Sequence, residues 1–162
     1  MSTLKEDIKS QSDWIVRAFA SDGLTLDYTL DSFKVLDAFI DEHAPGGKPR
    51  PGGRLSPHFG PILFSIGGYI GETIIRLVPG SEWITEYEGP KSEGERELDI
   101  EIRIPQGTRF WPVQRTVKRM MEGPENCLYD YGYVIVHKMT KDDYWENIRK
   151  LGAAFEKPPG KS

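Results

Sequence analysis

Hydrophobic residues recur three and four positions apart along most of the chain, which is the spacing of an amphipathic helix. Residues 3–20 begin with the capping pair Thr3 and Glu6, and residues 29–44 begin at Thr29, a second capping residue. In the second stretch Asp37 and Asp41 fall on the polar side and are expected to face water. Further helices are predicted from Ser56-Pro57 to Pro79-Gly80, from Pro112 to Gly123-Pro124, and from Thr140 to residue 155.

The stretch that ends at Pro79 is predicted to be the central helix, and it contains three closely spaced glycines. Gly67, Gly68 and Gly71 cost roughly 2–3 kcal/mol of helix propensity relative to alanine, so a close contact must offset them. We expect a hairpin at 82–104 or another helix to pack so tightly here that a Cβ atom at Gly67 or Gly71 would clash. Gly60 falls on the same side of this helix.

A different division of this stretch is a strand at 62–66, a glycine loop at 67–71 and a helix that begins at Glu72. Such a loop would bind phosphate and imply a nucleotide. The glycines do not match G-x-G-x-x-G, and no Lys-Ser/Thr pair follows them. The close-packing interpretation of the glycines is therefore favoured.

Two stretches are predicted to form β-strands. Residues 82–87 form the first, and residues 97–104 place Leu98, Ile100, Ile102 and Ile104 on one face. Because residues 89–94 are typical of a turn, the two strands are predicted to form an antiparallel hairpin. Residues 126–138 fit both a strand and a helix, and the helix is favoured.

Together these elements predict an α+β fold, with about five helices around the glycine-containing helix and a small antiparallel hairpin or sheet. The 162 residues suit one domain, expected over residues 1–156, with a flexible tail at 157–162. Residues 44–57 hold four prolines and four glycines, which indicates a long surface loop.

The charge, the cysteine count and the hydropathy of the chain disfavour several classes of function. The formal net charge of −4 disfavours general nucleic-acid binding. The single cysteine, Cys127, excludes an internal disulfide, and residues 1–13 lack the apolar core of a signal peptide. The most apolar stretch, 61–78, contains Glu72 and Arg76 and does not resemble a membrane span. We expect a cytoplasmic protein without a membrane partner.

Few residues in the sequence are candidates for catalysis or for binding a metal or cofactor. Glu72 has Arg76 four positions on and is interpreted as its ion-pair partner, or else as a desolvated acid or base. In the second case it would line a pocket with Tyr69 and with His58 or Cys127. As a helix, residues 126–138 would hold Cys127 and His137 about 15 Å apart along the axis, too far for a dyad. The three histidines lack the spacing of metal ligands, so no metal site is assigned. No other set of residues completes a catalytic or cofactor site, so none is assigned.

Charge is concentrated in two stretches of opposite sign. Residues 86–101 contain seven acidic residues, and residues 109–119 contain four basic ones, Arg109, Arg115, Lys118 and Arg119. They are interpreted either as ordinary solvated faces that partly neutralise each other or as docking surfaces. As a docking surface, the acidic hairpin would present a ribbon that steers a basic partner protein. The residues expected to contact that partner are Glu95, Glu97, Asp99 and Glu101.

The segment Gly67-Gly-Tyr-Ile-Gly-Glu72, the later Trp83, and the stretch from Pro112 to Asp130 resemble a loose group of small uncharacterised bacterial proteins. The resemblance spans residues 28–138 and rests on a G-x-Y-x-G-E helix motif, while the loop at 44–57 lies outside it. It implies a bacterial cytosolic α+β domain of unknown function and a helix at 126–138. Small acidic domains of this kind resemble immunity or accessory proteins encoded beside toxins.

The leading hypothesis from the sequence is therefore a non-enzymatic interaction protein, immunity-like or accessory, whose acidic hairpin contacts a basic partner. The alternative is a small enzyme or ligand-binding domain with its pocket at Tyr69, Glu72 and His58.

Overall fold

The computed structural model describes residues 3–53, 59–85 and 98–141. Within these ranges, five α-helices accompany a small antiparallel sheet with the strand order β1-β2-β3, which confirms the α+β class. The helices are α1 Leu4–Ser21, α2 Ser32–His43, α3 Phe59–Leu77, α4 Pro112–Glu122 and α5 Leu128–His137. The strands are β1 Glu82–Ile84, β2 Glu101–Arg103 and β3 Arg109–Phe110. Helix α5 confirms that the stretch 126–138 is helical rather than a strand, over Leu128–His137.

Several predictions fall on residues outside these ranges. They are the helix start at Ser56-Pro57, the turn at 89–94, residues 142–155 of the last helix, and the tail at 157–162.

Helix α1 begins directly after its predicted capping residue, whereas α2 begins three residues after its own. Thr3 Oγ1 accepts the Glu6 N–H at 3.1 Å, so α1 begins as predicted. Helix α2 begins at Ser32 rather than at Thr29. Thr29 instead forms a turn, in which its hydroxyl accepts the Ser32 N–H at 3.3 Å and its carbonyl accepts the Ser32 hydroxyl at 2.6 Å. This turn delays the start of the helix.

Helix α3 is the central helix, as predicted. All of its residues from Ile62 to Ile70 are buried, and Ile66, Ile70 and Ile74 are fully enclosed. A helix that is apolar around its whole circumference needs neighbours on every side. Helices α1, α4 and α5 all contact α3.

The glycines of α3 lie where these neighbours approach most closely. A Cβ atom at Gly67 would lie 2.7 Å from the Cα atom of Val113 in α4. One at Gly71 would overlap the ring of Trp83 in β1 and lie 2.8 Å from Ile102 Cδ1 in β2. The prediction that the hairpin or another helix packs on the glycine face is therefore confirmed, and the structure shows one of them at each of these two glycines. Gly60 was wrongly placed on this packed face, because no atom of the described residues lies within 4 Å of its Cβ position.

The sheet is shorter than predicted. Strands β1 and β2 pair antiparallel with Trp83 opposite Ile102, but β2 begins only at Glu101, and residues 98–99 are helical. Ile100, Ile102 and Ile104 are buried as expected. Leu98 is wrongly placed on their face: it is 38% exposed, and it lies in the helical residues 98–99 rather than in an extended strand.

A buried ionic network joins α2, α4 and α5, where the sequence predicted exposed charges. Arg119 is 1% exposed, and its Nε and Nη2 atoms donate to Asp37 Oδ1 at 2.7 Å and Asp41 Oδ1 at 2.8 Å. Asp37 also accepts the backbone N–H groups of Leu128 and Tyr129, at 2.9 Å and 3.1 Å, and so caps α5. The prediction that Asp37 faces water was wrong because two other helices converge on its carboxylate.

No helix in the part of the chain that the structure describes is both long enough and apolar enough to cross a membrane.

Candidate functional site

Tyr69, predicted to line a pocket, lies fully buried in the core. Its hydroxyl oxygen accepts the Tyr28 N–H at 2.7 Å and shares a hydrogen bond with the Ser32 hydroxyl. Burial raises the pKa of Tyr69, although these hydrogen bonds partly oppose the shift. The hydroxyl therefore stays protonated and ties α3 to the segment that leads into α2.

Glu72 and Arg76 each have a partner other than the one that the sequence suggested. Trp83 Nε1 donates to Glu72 Oε2 at 2.9 Å, which joins α3 to β1. The Arg76 guanidinium lies 3.4 Å from the centre of the Tyr28 ring, a cation–π contact. Glu72 thus holds the ring that covers Gly71. His58, the third residue of the predicted pocket, lies outside the described residues.

Cys127 occupies the N-terminal cap of α5. Its Sγ atom accepts the Asp130 N–H at 3.4 Å. Burial raises the pKa of the Cys127 thiol, so the thiol form is favoured near neutral pH. Cys127 is only partly buried, but the carboxylates of Asp37 and Asp130 also raise its pKa, whereas a nucleophilic cysteine is activated by electropositive surroundings.

The four acidic residues expected to bind a partner divide into two groups. Glu95 and Glu97 lie outside the described residues, whereas Asp99 is partly buried. The Glu101 side chain is only 15% exposed, and its Oε2 atom lies 3.6 Å from Arg109 Nε. The two charged stretches therefore meet at this ion pair, which leaves little of Glu101 for a partner to contact.

The surface that stands out instead is an open groove beside α4, of about 800 Å³. We call it the α4 groove. Leu98, Trp111, Arg115, Lys118, Met121 and Tyr131 are among the residues that line it. Leu98 is 38%, Trp111 41% and Met121 66% exposed. Large apolar side chains exposed together beside charged ones mark an interaction surface more often than isolated ones do.

Helix α4 has two faces with different partners. Its buried side chains include Val113, Thr116, Arg119 and Met120, which face the protein interior. At about 100° per residue, Trp111, Lys118 and Met121 lie on the opposite side of the helix. Met120 takes the inward position, which turns its neighbour Met121 outward.

One sequence pattern could have predicted this groove but was not recognised. Trp111 stands just before the helix start at Pro112, four residues ahead of Arg115 and seven ahead of Lys118. That spacing puts an aromatic residue and two cations on one helix face.

Within residues 3–53, 59–85 and 98–141, no three His, Cys, Asp or Glu side chains form a group that could hold a metal ion. Comparison with family models, curated proteins and solved structures found no match for this chain.

Proposed function

We propose that this protein is a non-enzymatic interaction protein that docks a partner protein in the α4 groove. The observation that carries the proposal is the exposed face of α4, where Trp111 and Met121 stand beside Arg115 and Lys118. Burying large aromatic and Met side chains stabilises protein interfaces, and arginine is enriched at their centres. These apolar side chains are exposed and so do not stabilise the hydrophobic core, which leaves partner binding as their role.

The candidate catalytic residues of the sequence form hydrogen bonds within the fold or are poorly activated, which supports a binding role over catalysis. Tyr69 bonds Tyr28 and Ser32 within the core, and Glu72 accepts the Trp83 indole N–H. The pKa of Cys127 is shifted away from the range of a reactive thiolate.

An immunity-like or accessory role in the bacterial cytoplasm belongs to the same proposal, and the unpaired thiol of Cys127 suits a reducing compartment. The hypothesis of a basic partner at the acidic residues has less support, since Glu101 is paired with Arg109 and largely covered. Docking is therefore assigned to the basic and apolar side of the molecule.

The test is site-specific photo-crosslinking in cells that naturally produce the protein. A benzophenone amino acid replaces Gln114, which is exposed on the wall of the groove, and in a matched control it replaces Lys9, which is exposed on α1. We expect a discrete partner protein to crosslink at position 114 only. That partner, once identified and purified, should bind the full chain.

A second pair of variants links this binding to the groove. Trp111→Ala should abolish binding of the identified partner, whereas Trp14→Ala should leave it unchanged. The two tryptophans are 41% and 39% exposed, but Trp111 lies just before α4 and Trp14 lies on α1. The same crosslinked proteins at both positions, or equal losses in the two variants, would contradict the proposal.

A further inference from the structure

The α4 groove is positively charged although the whole chain is acidic. Among the described residues, Arg109, Arg115 and Lys118 line it and Glu122 is the one acidic residue that does. Arg109 is paired with Glu101, so Arg115 and Lys118 are the cations without a carboxylate 4 Å or less away in the described part of the chain. The chain as a whole has a formal charge of −4. Complementary charge favours encounter with an acidic partner and disfavours a basic one.

Arg115 is the cation best placed to select that partner. Its guanidinium lies 4.8 Å from the centre of the Tyr131 ring, and Tyr131 in turn packs edge-on against Phe110 at 6.2 Å. These contacts hold the side chain at the wall of the groove. Among the described residues, the Arg115 Nε atom is buried without a hydrogen-bond partner. The structure therefore gives this atom no carboxylate among the described residues, and Arg115 lines the groove as a partly exposed cation.

A carboxylate is the acceptor that fits a planar guanidinium best, because it can take two parallel hydrogen bonds. The exposed Leu98, Trp111 and Met121 also require apolar side chains on the ligand. Met adapts its shape to varied apolar partners. Helix α4, with 11 residues, is about 16 Å long and can flank about three turns of a bound helix.

We infer that the α4 groove binds an acidic amphipathic segment of the partner protein, with a carboxylate on Arg115 and apolar side chains on Trp111 and Met121. This inference rests on the proposed function and specifies the chemistry of the partner. A nucleic acid would meet the same cations and Trp111, but its phosphates would leave Leu98 and Met121 unpartnered and would be repelled by the acidic remainder of the chain.

The test uses a displayed library of random peptides about twelve residues long, a length matched to helix α4. The library is selected on the full chain and counter-selected on the Trp111→Ala variant. We expect the selected peptides to be enriched in Asp and Glu together with Leu, Phe or Trp. Their affinity, measured by fluorescence anisotropy, should fall as salt is added.

Arg115→Gln should weaken these peptides about ten- to a hundredfold, the loss of one charge-assisted hydrogen bond, and Arg115→Lys should restore only part of the affinity. Arg17→Gln, on the exposed face of α1, should have no effect. Lys118→Gln provides a second variant at an exposed residue and should also weaken binding. Thermal unfolding confirms that each variant is folded.

The outcomes separate the two proposals. Basic or uncharged peptides that still depend on Trp111 would overturn the acidic partner but keep the groove as a docking site. Selection of no peptide that depends on Trp111 would overturn both. Tighter binding of a single-stranded oligothymidine than of any selected peptide, lost in Arg115→Gln, would replace the acidic segment by a nucleic acid.

Discussion

Replacing Gly67 by alanine should destabilise the protein, although helix propensity alone predicts the opposite. Alanine is favoured over glycine inside a helix by about 1 kcal/mol. The new Cβ atom would, however, lie 2.7 Å from the Cα and 2.9 Å from the N of Val113. Apolar carbons pack at roughly 3.5–4.0 Å, so α3 and α4 must separate by about 1 Å.

The size of the effect follows from this separation. Overpacking costs typically about 1–3 kcal/mol, and the upper end applies here because the obstacle is backbone, which cannot rotate away. After the gain in propensity, we expect Gly67→Ala to lower the free energy of unfolding by about 2 kcal/mol. For a chain of this length that loss corresponds to a fall in Tm of roughly 4–8 °C.

The assay is urea unfolding followed by circular dichroism, with Gly68→Ala as the matched control in the same helix turn. At Gly68 the nearest atom to a new Cβ is Ile8 Cγ2 at 3.3 Å, so the change in stability should lie within about 1 kcal/mol of zero. Gly71→Ala should resemble Gly67→Ala, because the Trp83 ring must move and lose its bond to Glu72. Equal or greater stability of Gly67→Ala than of Gly68→Ala would refute this reasoning.

Three further outcomes are expected. Asp37→Asn should destabilise the protein by about 3–5 kcal/mol in urea unfolding, because it leaves the buried Arg119 short of charge, whereas Asp41→Asn, with a carboxylate 52% exposed, should cost under about 1 kcal/mol. Cys127 should react with an uncharged disulfide reagent along a pH–rate curve whose midpoint lies above that of free cysteine, since burial raises its pKa; a lower midpoint would contradict this environment. The pKa of Tyr69 is raised in the folded protein from its usual 10.0, so the unfolded chain loses that proton first as pH rises. The free energy of unfolding should therefore fall as pH rises above about 10, and Tyr69→Phe should reduce this fall; an equal fall in the variant would count against it.

The central helix and its close neighbours could be predicted because the sequence contained a local conflict. Three glycines in five residues oppose a helix that the apolar pattern otherwise favours, and only a close contact resolves that conflict. The identity of the neighbours could not be derived in the same way. Val113 and Trp83 are 46 and 12 residues from the glycines that they cover. Their approach is decided by tertiary packing.

Charged residues were predicted less well than apolar ones, for a physical reason. Helical periodicity places Asp37 on a polar face but cannot show that this face meets Arg119 and the N-terminus of α5. A carboxylate that satisfies a guanidinium and two backbone N–H groups can lie among buried residues at little cost, because its hydrogen bonds replace water. The partners of a charge, rather than its spacing, determine whether it is exposed.

The two faces of α4 make folding and binding separable, which strengthens the case for a docking role. Lys118 and Arg119 are adjacent, yet a rotation of about 100° gives one to the groove and encloses the other in the ionic network. Removing Arg119 should therefore change stability first and binding only through unfolding. Removing Lys118 should change partner affinity and salt dependence with stability almost unaltered. If both substitutions instead reduced stability in parallel, the groove face would belong to the core, and the surface argument for a partner would fail.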